Sequence, residues 1–400
     1  MFKKKIFFNN YLNNSQNYVK NLKLTKKLFN SLLIELKKGE LPLLNSFEED
    51  YKYNFSKTIV SKFSKYNNIV IIGIGGSILG AKAIYSFLKK KTKKKLFFFD
   101  NLDLNLFSKY NNLNNTCFVV ISKSGNTTET IINLSFVFSK NTLRNRLVII
   151  TEEKNSALMR IAKKYNAAII GHKEFIGGRY SVLSETGMFP AALMNLSIKK
   201  FKNLKKLIKN KNFVSSLIQN AASIYTLNLK KINNSIILNY DSSLNNLSYW
   251  HQQLVAESLG KKGKGIYPTV SFAPKDQHSL FQLYLDGPQN KFFTFFNSFE
   301  SEIDIKTSNE VIPDNMSYFK NKKIKTIINA QCEAAKNIFK KKKIPFREII
   351  FKRKDETHLG EILTFFVLET IILARLMNVN PFDQPAVEQI KQEAKKILCS

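Results

Sequence analysis

The sequence has few cysteines and few acidic residues, and no long uninterrupted hydrophobic run. Its three cysteines, at positions 117, 332 and 399, stand far apart without a CxxC pair, a pattern that a reducing compartment permits. A disulfide framework and a cysteine-based zinc site are therefore poorly supported. The apolar stretches at 68–74 and 364–377 are shorter, or more interrupted by charge, than the ~20 residues that cross a bilayer. The short apolar stretch near the N-terminus does not make a secretory signal, so we expect a cytoplasmic protein.

Acidic residues number 30 against 63 lysines and arginines, which gives a net charge of +33. Such an excess raises nucleic-acid binding as a hypothesis. The lysines, however, are spread along the whole chain together with Asn, Ile and Phe, and no single basic stripe with interleaved aromatic residues emerges. We favour a compositional origin for the charge and expect no nucleic-acid partner, although a positive field would help to steer an anionic substrate into a cleft.

The hydrophobic pattern predicts the α/β class, with two doubly wound parallel-sheet domains, a helical N-terminal segment and a C-terminal helix. We expect these four units at 1–50, 51–202, 203–380 and 381–400, with a lysine-rich helix at 201–211 between the two domains. Strands are predicted at 69–74, 95–99, 117–121, 146–151, 167–170, 235–240, 292–297 and 348–352. Helices are predicted at 244–259, 278–285, 324–341, 359–376 and 386–398.

Two glycine- or hydroxyl-rich turns follow predicted strands. After the first strand comes Gly73-Ile74-Gly75-Gly76-Ser77, where glycines and a helix start would let the backbone approach an anion. A dinucleotide-binding turn is the rival, but the glycines do not match GxGxxG in register, and a purely structural turn is as good an explanation. After strand 117–121 comes the run 122–130, which carries five hydroxyls around one helix start. Such a run can surround a phosphate monoester, with an ordinary capping box as the alternative.

Three further segments carry charged or titratable side chains. Arg179 follows a glycine pair and can stabilise an oxyanion, or it is a surface arginine in a loop. Glu257 lies in the last turn of its helix, where the helix dipole favours a raised carboxylate pKa and hence a general base. A solvated glutamate paired with Lys261 is an equally good explanation. His278 is expected in the first turn of a helix as a proton shuttle, whereas the spacing of the other three histidines argues against a zinc site.

Taken together and in order, these segments resemble the glucose-6-phosphate isomerase family. Its members carry a GIGGS turn, an SKT/SGxTxET turn, GGR[YF]S, ESxGK, QHS and DQxxVExxK, and this chain has all six between Gly73 and Lys391. The resemblance implies two sugar-isomerase domains and an active site at the interface of a homodimer. It also implies interconversion of glucose 6-phosphate and fructose 6-phosphate through a cis-enediolate, in glycolysis and gluconeogenesis, without metal or organic cofactor.

The resemblance also implies a role for each matched residue. Glu257 would be the base, Arg179 would stabilise the negative oxygen, and His278, from the partner subunit, would open the sugar ring with Lys391. The substrate- and phosphate-binding positions would be Gly76, Ser77, Ser122, Lys123, Ser124, Thr127, Glu129 and Gln384. Two rivals are an isomerase of the same fold acting on another phosphosugar, such as mannose 6-phosphate, and a sugar-phosphate-binding regulator. The presence of all three proton-transfer positions, Glu257, His278 and Lys391, argues against both.

Overall fold

The computed structural model describes residues 6, 8–9, 15–103, 115–140, 143, 145–298 and 305–399, except for the side chains at 140, 388, 391 and 392. Within these ranges, none of the helices combines the length and hydropathy that a bilayer crossing requires. The strands that the structure describes are β1 (Phe8–Asn9), β2 (Asn68–Ile72), β3 (Lys95–Phe99), β4 (Thr116–Ile121), β5 (Leu147–Thr151), β6 (Ala168–Gly171), β7 (Asn234–Asn239), β8 (Tyr267–Phe272), β9 (Lys291–Ser298) and β10 (Phe346–Phe351).

The α-helices of the described ranges connect and cover these strands. They are α1 (Gln16–Lys38), α2 (Lys57–Ser64), α3 (Leu79–Phe87), α4 (Thr128–Lys140), α5 (Ala157–Tyr165), α6 (Glu185–Leu193), α7 (Leu204–Leu207), α8 (Lys211–Leu229), α9 (Asn245–Leu259), α10 (Lys275–Ser279), α11 (Phe281–Asp286), α12 (Ile324–Lys341), α13 (Glu356–Met377) and α14 (Val387–Cys399). Short 3₁₀ segments occur at Gly75–Ser77, Gly178–Leu183 and Ile198–Phe201, among others.

The first sheet is wholly parallel, with the strand order β3-β2-β4-β5-β6. Its central strands are nearly continuous β-branched and apolar runs, such as NIVII in β2, because helices bury both of their faces. The chain leaves β2 to one side for β3 and returns to the other side for β4. The crevice at the carboxyl ends of β2 and β4 is therefore the switch point at which such sheets bind ligands.

The second sheet has the order β8-β7-β9-β10-β1, in which the four strands β7 to β10 are parallel. Its switch point lies between β7 and β9. The edge strand β1 runs antiparallel to β10 and comes from the N-terminus of the chain. The predicted doubly wound α/β fold is confirmed for both sheets, whereas the boundaries of the four predicted units stay a prediction.

Helix α13 is the centre of the core, because almost every residue along its length is buried. It packs against α1, α8 and α9. Helix α1 begins at an N-cap, Ser15, whose hydroxyl accepts from the Tyr18 amide, and ends at Gly39 in the left-handed conformation. The N-terminal segment is thus helical and packed on the rest of the chain as expected, but its first residues also form a strand.

Several sequence-based expectations are wrong in detail. The predicted helix 201–211 is three separate pieces, a 3₁₀ turn ending at Phe201, the single-turn α7, and the start of α8. The predicted helix 278–285 is two short helices, α10 and α11, so His278 lies at the end of α10 rather than in a first turn. The sequence pattern does not predict strand β8, because it is a half-exposed edge strand that contains a proline.

Candidate active site

The turn after β2 lies in close contact with the arginine loop. A Cβ atom added to Gly76 would stand 2.2 Å from the Gly178 carbonyl carbon and 2.6 Å from the Arg179 nitrogen, so only glycine fits there. Gly75 has a φ of +57°, and its own Cβ would stand 2.7 Å from Nε2 of Gln253. The Ser181 hydroxyl donates to the Gly76 carbonyl at 3.3 Å. The predicted GIGGS turn therefore contacts both the arginine loop and helix α9.

The predicted phosphate turn leaves β4 and folds its hydroxyls toward one another. The Ser122 and Thr127 hydroxyls are 2.7 Å apart, and the Ser122 and Ser124 hydroxyls are 3.5 Å apart. The Gly125 amide donates to the Ser122 hydroxyl at 3.1 Å, with Gly125 in the left-handed region at φ +68°. We name Ser122, Ser124 and Thr127 the hydroxyl cradle. It lies beside the GIGGS turn, because β2 and β4 are neighbours in the sheet.

Two charged positions flank the hydroxyl cradle. The Lys123 ammonium donates to the Glu174 carbonyl at 2.6 Å and stands 3.6 Å from the Glu152 carboxylate. Glu129 lies in the first turn of α4. Next to it in that helix, the Thr130 hydroxyl is buried and has no hydrogen-bond partner among the residues that the structure describes. Hydroxyls and amides at the start of a helix form a suitable environment for a doubly charged anion.

Glu257 is held in place at the end of α9. One carboxylate oxygen accepts from Gln253 Nε2 at 2.7 Å, and the other accepts from Arg179 Nη1 at 3.3 Å. The Glu257 side chain remains 27% exposed, toward a cavity of about 460 Å³ that Gln384 also lines. The ammonium group of Lys261 binds Asp383 instead, at 2.7 Å. The alternative of a glutamate paired with Lys261 is therefore wrong.

Arg179 is buried, and hydrogen bonds engage all of its N–H donors. Besides Glu257, it donates from Nε to the Ser258 hydroxyl at 2.9 Å and from Nη2 to the carbonyls of Pro381 at 2.5 Å and Asp383 at 2.9 Å. Nη1 also approaches Gln384 Oε1 at 3.4 Å. A guanidinium has five N–H donors, so this arginine is fixed in one orientation. The alternative of a surface arginine in a loop is wrong.

The structure brings together Arg179, Glu257 and Gln384, with Gly76 against the same loop, but it leaves His278 elsewhere. Helix α9 precedes β8, so Glu257 lies near the start of that strand, whereas α10 with His278 follows its end. A strand of six residues at about 3.3 Å per residue puts on the order of 20 Å between the two. The His278 side chain is exposed. Lys391 lies within α14, and its side chain is outside the described part of the chain.

Sequence reasoning missed Gln253, Tyr180 and Ser258. Gln253 stands four residues before Glu257 on α9, and this spacing, which puts both on one face of the helix, is the signal that could have identified it. The Tyr180 hydroxyl lies 2.9 Å from the Ser258 hydroxyl and donates to the Pro381 carbonyl at 3.0 Å. Its partners are 78 and 201 residues away in sequence, so no local pattern indicates them.

Comparisons of the whole chain with known proteins identify its relatives. The phosphoglucose isomerase family model matches residues 56–400. A glucose-6-phosphate isomerase of Methanocaldococcus jannaschii is 32% identical over 346 residues, which cover 83% of this chain and 84% of that protein. Another, from Mycoplasmopsis synoviae, is 32% identical over 382 residues, 88% of each chain.

Solved structures share the fold at lower sequence identity. A hypothetical protein of Thermus thermophilus superposes with a TM-score of 0.84 at 22% identity, over 99% of this chain and 100% of that one. A glucose-6-phosphate isomerase of Chlamydia trachomatis superposes with a TM-score of 0.70 at 20% identity, over 85% of this chain and 71% of that one. Two doubly wound sheets of this kind define the class of sugar-isomerase-domain proteins. Within that class, the chain belongs to the phosphoglucose isomerase family.

Proposed function

We propose that the chain interconverts glucose 6-phosphate and fructose 6-phosphate, with Glu257 as the base that carries a proton between C2 and C1. The observation that carries this assignment is the placement of Glu257. Its carboxylate is oriented by Gln253 and Arg179 and faces a cavity. Gln253 also contacts the GIGGS turn, which borders the hydroxyl cradle. A general base needs a fixed geometry and access to the substrate, and this carboxylate has both.

The hydroxyl cradle would hold the 6-phosphate, with Ser77, Gly76, Lys123 and Glu129 lining the substrate nearby. Arg179 would stabilise the enediolate oxygen. The nitrogen that we assign to this task is Nη1, because its contacts with Glu257 and Gln384, at 3.3 and 3.4 Å, are the longest of its guanidinium and are the easiest to exchange for an oxyanion. Lys391 and His278 would move the protons that open and close the sugar ring.

The Glu257→Gln variant tests the assignment of the base. Glutamine keeps the size of glutamate but cannot take a proton from carbon, so isomerisation should fall by about 10²–10⁴-fold. Exchange of the C2 proton of glucose 6-phosphate with heavy water, followed by NMR, should be lost, while interconversion of the anomers should continue. Exchange at the rate of the unaltered chain would show that Glu257 is not the base.

We further propose that the enzyme is a homodimer in which His278 serves the site of the other subunit. The separation of His278 from Glu257 along β8 and the exposure of its side chain support this arrangement, because a second copy can bring the imidazole to the cavity. Such a dimer would have two equivalent sites related by a two-fold axis. A cytoplasmic location also stays a prediction.

Mixing two inactive variants tests the shared site. In a hybrid of Glu257→Gln and His278→Ala subunits, one site carries both lesions and the other carries neither. Random re-association should therefore restore about a quarter of the activity of the unaltered dimer. Hybrids of Glu257→Gln with Arg179→Ala serve as the control, because both residues come from one subunit and each hybrid site keeps one lesion. No recovery in the first mixture would place His278 in its own subunit's site or outside the site.

A further inference from the structure

The segment between α13 and α14 lies across the cavity beside Glu257. We name residues 380–384 the strap. The strap carries Gln384 and leads directly into helix α14, which begins at Val387 and contains Lys391. Its backbone carbonyls point toward two cations that belong to different parts of the fold. Arg179, from the loop after β6, binds the carbonyls of Pro381 and Asp383. Lys261, from the turn after α9, binds the same Asp383 carbonyl and that of Asn380.

Lys261 uses all of its ammonium protons on the strap. It donates to the Asn380 carbonyl, to the Asp383 carbonyl at 2.6 Å and to the Asp383 carboxylate at 2.7 Å. An ammonium group has three donors, so none remains for a substrate. Its side chain is 9% exposed. The hydrogen bond from Lys261, assisted by its charge, lowers the pKa of the Asp383 carboxyl.

The position of Lys261 is tied to that of the base. Helix α9 ends at Leu259, two residues after Glu257, and Lys261 forms a tight bridge with Lys264 immediately beyond. A continuous series of contacts joins the end of α9 to the strap and back to α9. Glu257 binds Arg179, Arg179 binds the strap, and the strap binds Lys261, which stands four residues from Glu257. The end of α9 therefore fixes the position of the strap relative to the Glu257 carboxylate.

We propose that Lys261 is a positioning residue that sets the strap, and through it Gln384 and the start of α14, relative to Glu257. This inference rests on the proposed function, because it assigns Lys261 to the ring-opening side of that reaction. Loss of Lys261 should misplace the groups that the strap and α14 carry, whereas Glu257 keeps its contacts with Gln253 and Arg179. Ring opening should therefore suffer more than proton transfer at carbon.

Two substrates separate these steps for the Lys261→Met variant. Fructose 6-phosphate must open its ring before it reacts, whereas 5-deoxyfructose 6-phosphate lacks the hydroxyl that closes the ring and is always open. Turnover of fructose 6-phosphate should fall about tenfold to hundredfold, the loss expected when a group is misplaced by about 1 Å. Exchange of the C1 protons of the 5-deoxy compound with heavy water should stay within about threefold of the unaltered chain.

Companion variants identify the cause of the effect. Lys261→Arg keeps the charge and its donors and should recover most of the lost turnover. Lys20→Met removes a charge from an exposed residue of α1 outside the cavity, which makes no hydrogen bond with another described side chain or backbone group, and should change turnover less than threefold. Equal losses for Lys261→Met and Lys20→Met would mean that net charge alone matters. Equal losses on the closed and open substrates would assign Lys261 to the base or to the fold, and no loss on either would overturn the proposal.

A measurement without turnover tests the strap itself. The Phe382 amide donates to the Asn380 side chain at 3.0 Å within the strap. Hydrogen exchange of the amides at 380 and 382–384 should be faster in Lys261→Met than in the unaltered chain, and the amides of β4 should exchange as before. If the unaltered chain lacks isomerase activity but this difference is present, the proposed function fails and the strap contact stands. If strap exchange is unchanged, the contact does not hold the strap.

Discussion

The two sheets are wound in the same order, yet their switch points contain opposite kinds of group. At the switch point of the first sheet, three hydroxyls and a helix start form the hydroxyl cradle, which is suited to an external anion. At the switch point of the second sheet, the chain supplies an anion of its own. The Asp241 carboxylate, just after β7, accepts from the Ser243 amide at 3.0 Å, from the Ser298 hydroxyl and from Lys354 at 2.9 Å.

In the second sheet, the Asp241 carboxylate occupies the position that an external anion could occupy in the first. Asp241 and Lys354 are both buried, with side chains 7% and 8% exposed. Burial acts to raise the pKa of Asp241, but the Lys354 charge and the hydrogen bonds from Ser298 and Ser243 outweigh it, so the net shift is downward. The comparison teaches that one topology offers two crevices and that the side chains at each crevice decide whether it is open to an external anion. Because the Asp241 carboxylate already occupies the crevice of the second sheet, that crevice belongs to the buried interior.

The largest expected effect concerns the hydroxyl cradle of the first sheet. Replacing Ser122 and Thr127 together by alanine removes the two hydroxyls that we propose as donors to the phosphate, and such a hydrogen bond contributes roughly 1.5–3 kcal/mol. KM for fructose 6-phosphate should rise by about 10²–10⁴-fold, with a much smaller change in the urea midpoint. The matched pair in the second sheet, Ser243→Ala with Ser298→Ala, should lower the urea midpoint and leave KM near its original value. If both pairs raise KM alike, the two crevices do not differ in function.

The second prediction concerns the internal ion pair. Asp241→Asn removes the carboxylate that binds the buried Lys354 ammonium at 2.9 Å, so the free energy of unfolding should fall by about 3–5 kcal/mol. Denaturant unfolding of the variant measures this loss, and KM for fructose 6-phosphate should not change. The double variant Asp241→Leu with Lys354→Met should be more stable than the single one, because both charges of the pair are replaced by apolar side chains. A double variant that is less stable than Asp241→Asn would contradict this account.

The smallest expected effect is a dependence of that stability on pH. A carboxyl whose folded pKa is lowered contributes stability above its unfolded value of about 3.9, and this contribution disappears as the pH falls through the folded pKa. The difference in urea midpoint between the unaltered chain and Asp241→Asn should therefore be constant above about pH 5 and should shrink below about pH 4. A difference that grows on acidification would mean that Asp241 titrates in the opposite sense.

The sequence predicts those parts of the molecule whose signal is local. Strands such as β2, β4 and β5 are predictable because continuous apolar runs are typical of strands buried on both faces, and the turns after β2 and β4 stand out by composition. Strand β8 is missed because its exposed edge position weakens the pattern. The contacts of Arg179 and Lys261 with the strap join residues more than a hundred positions apart. Only the folded chain reveals that Lys261 binds Asp383 rather than Glu257.

The two sheets also differ in when they can be completed during synthesis. All strands of the first sheet lie between Asn68 and Gly171, so it can close while the rest of the chain is still being made. The second sheet takes its edge strand from the N-terminus, and that strand pairs with β10, at Phe346–Phe351. Phe8 and Asn9 leave the ribosome long before β10 and therefore wait for it. Until then, the phenylalanine-rich strand β9 has no β10 beside it, and the nascent chain carries an open edge that other chains could pair with.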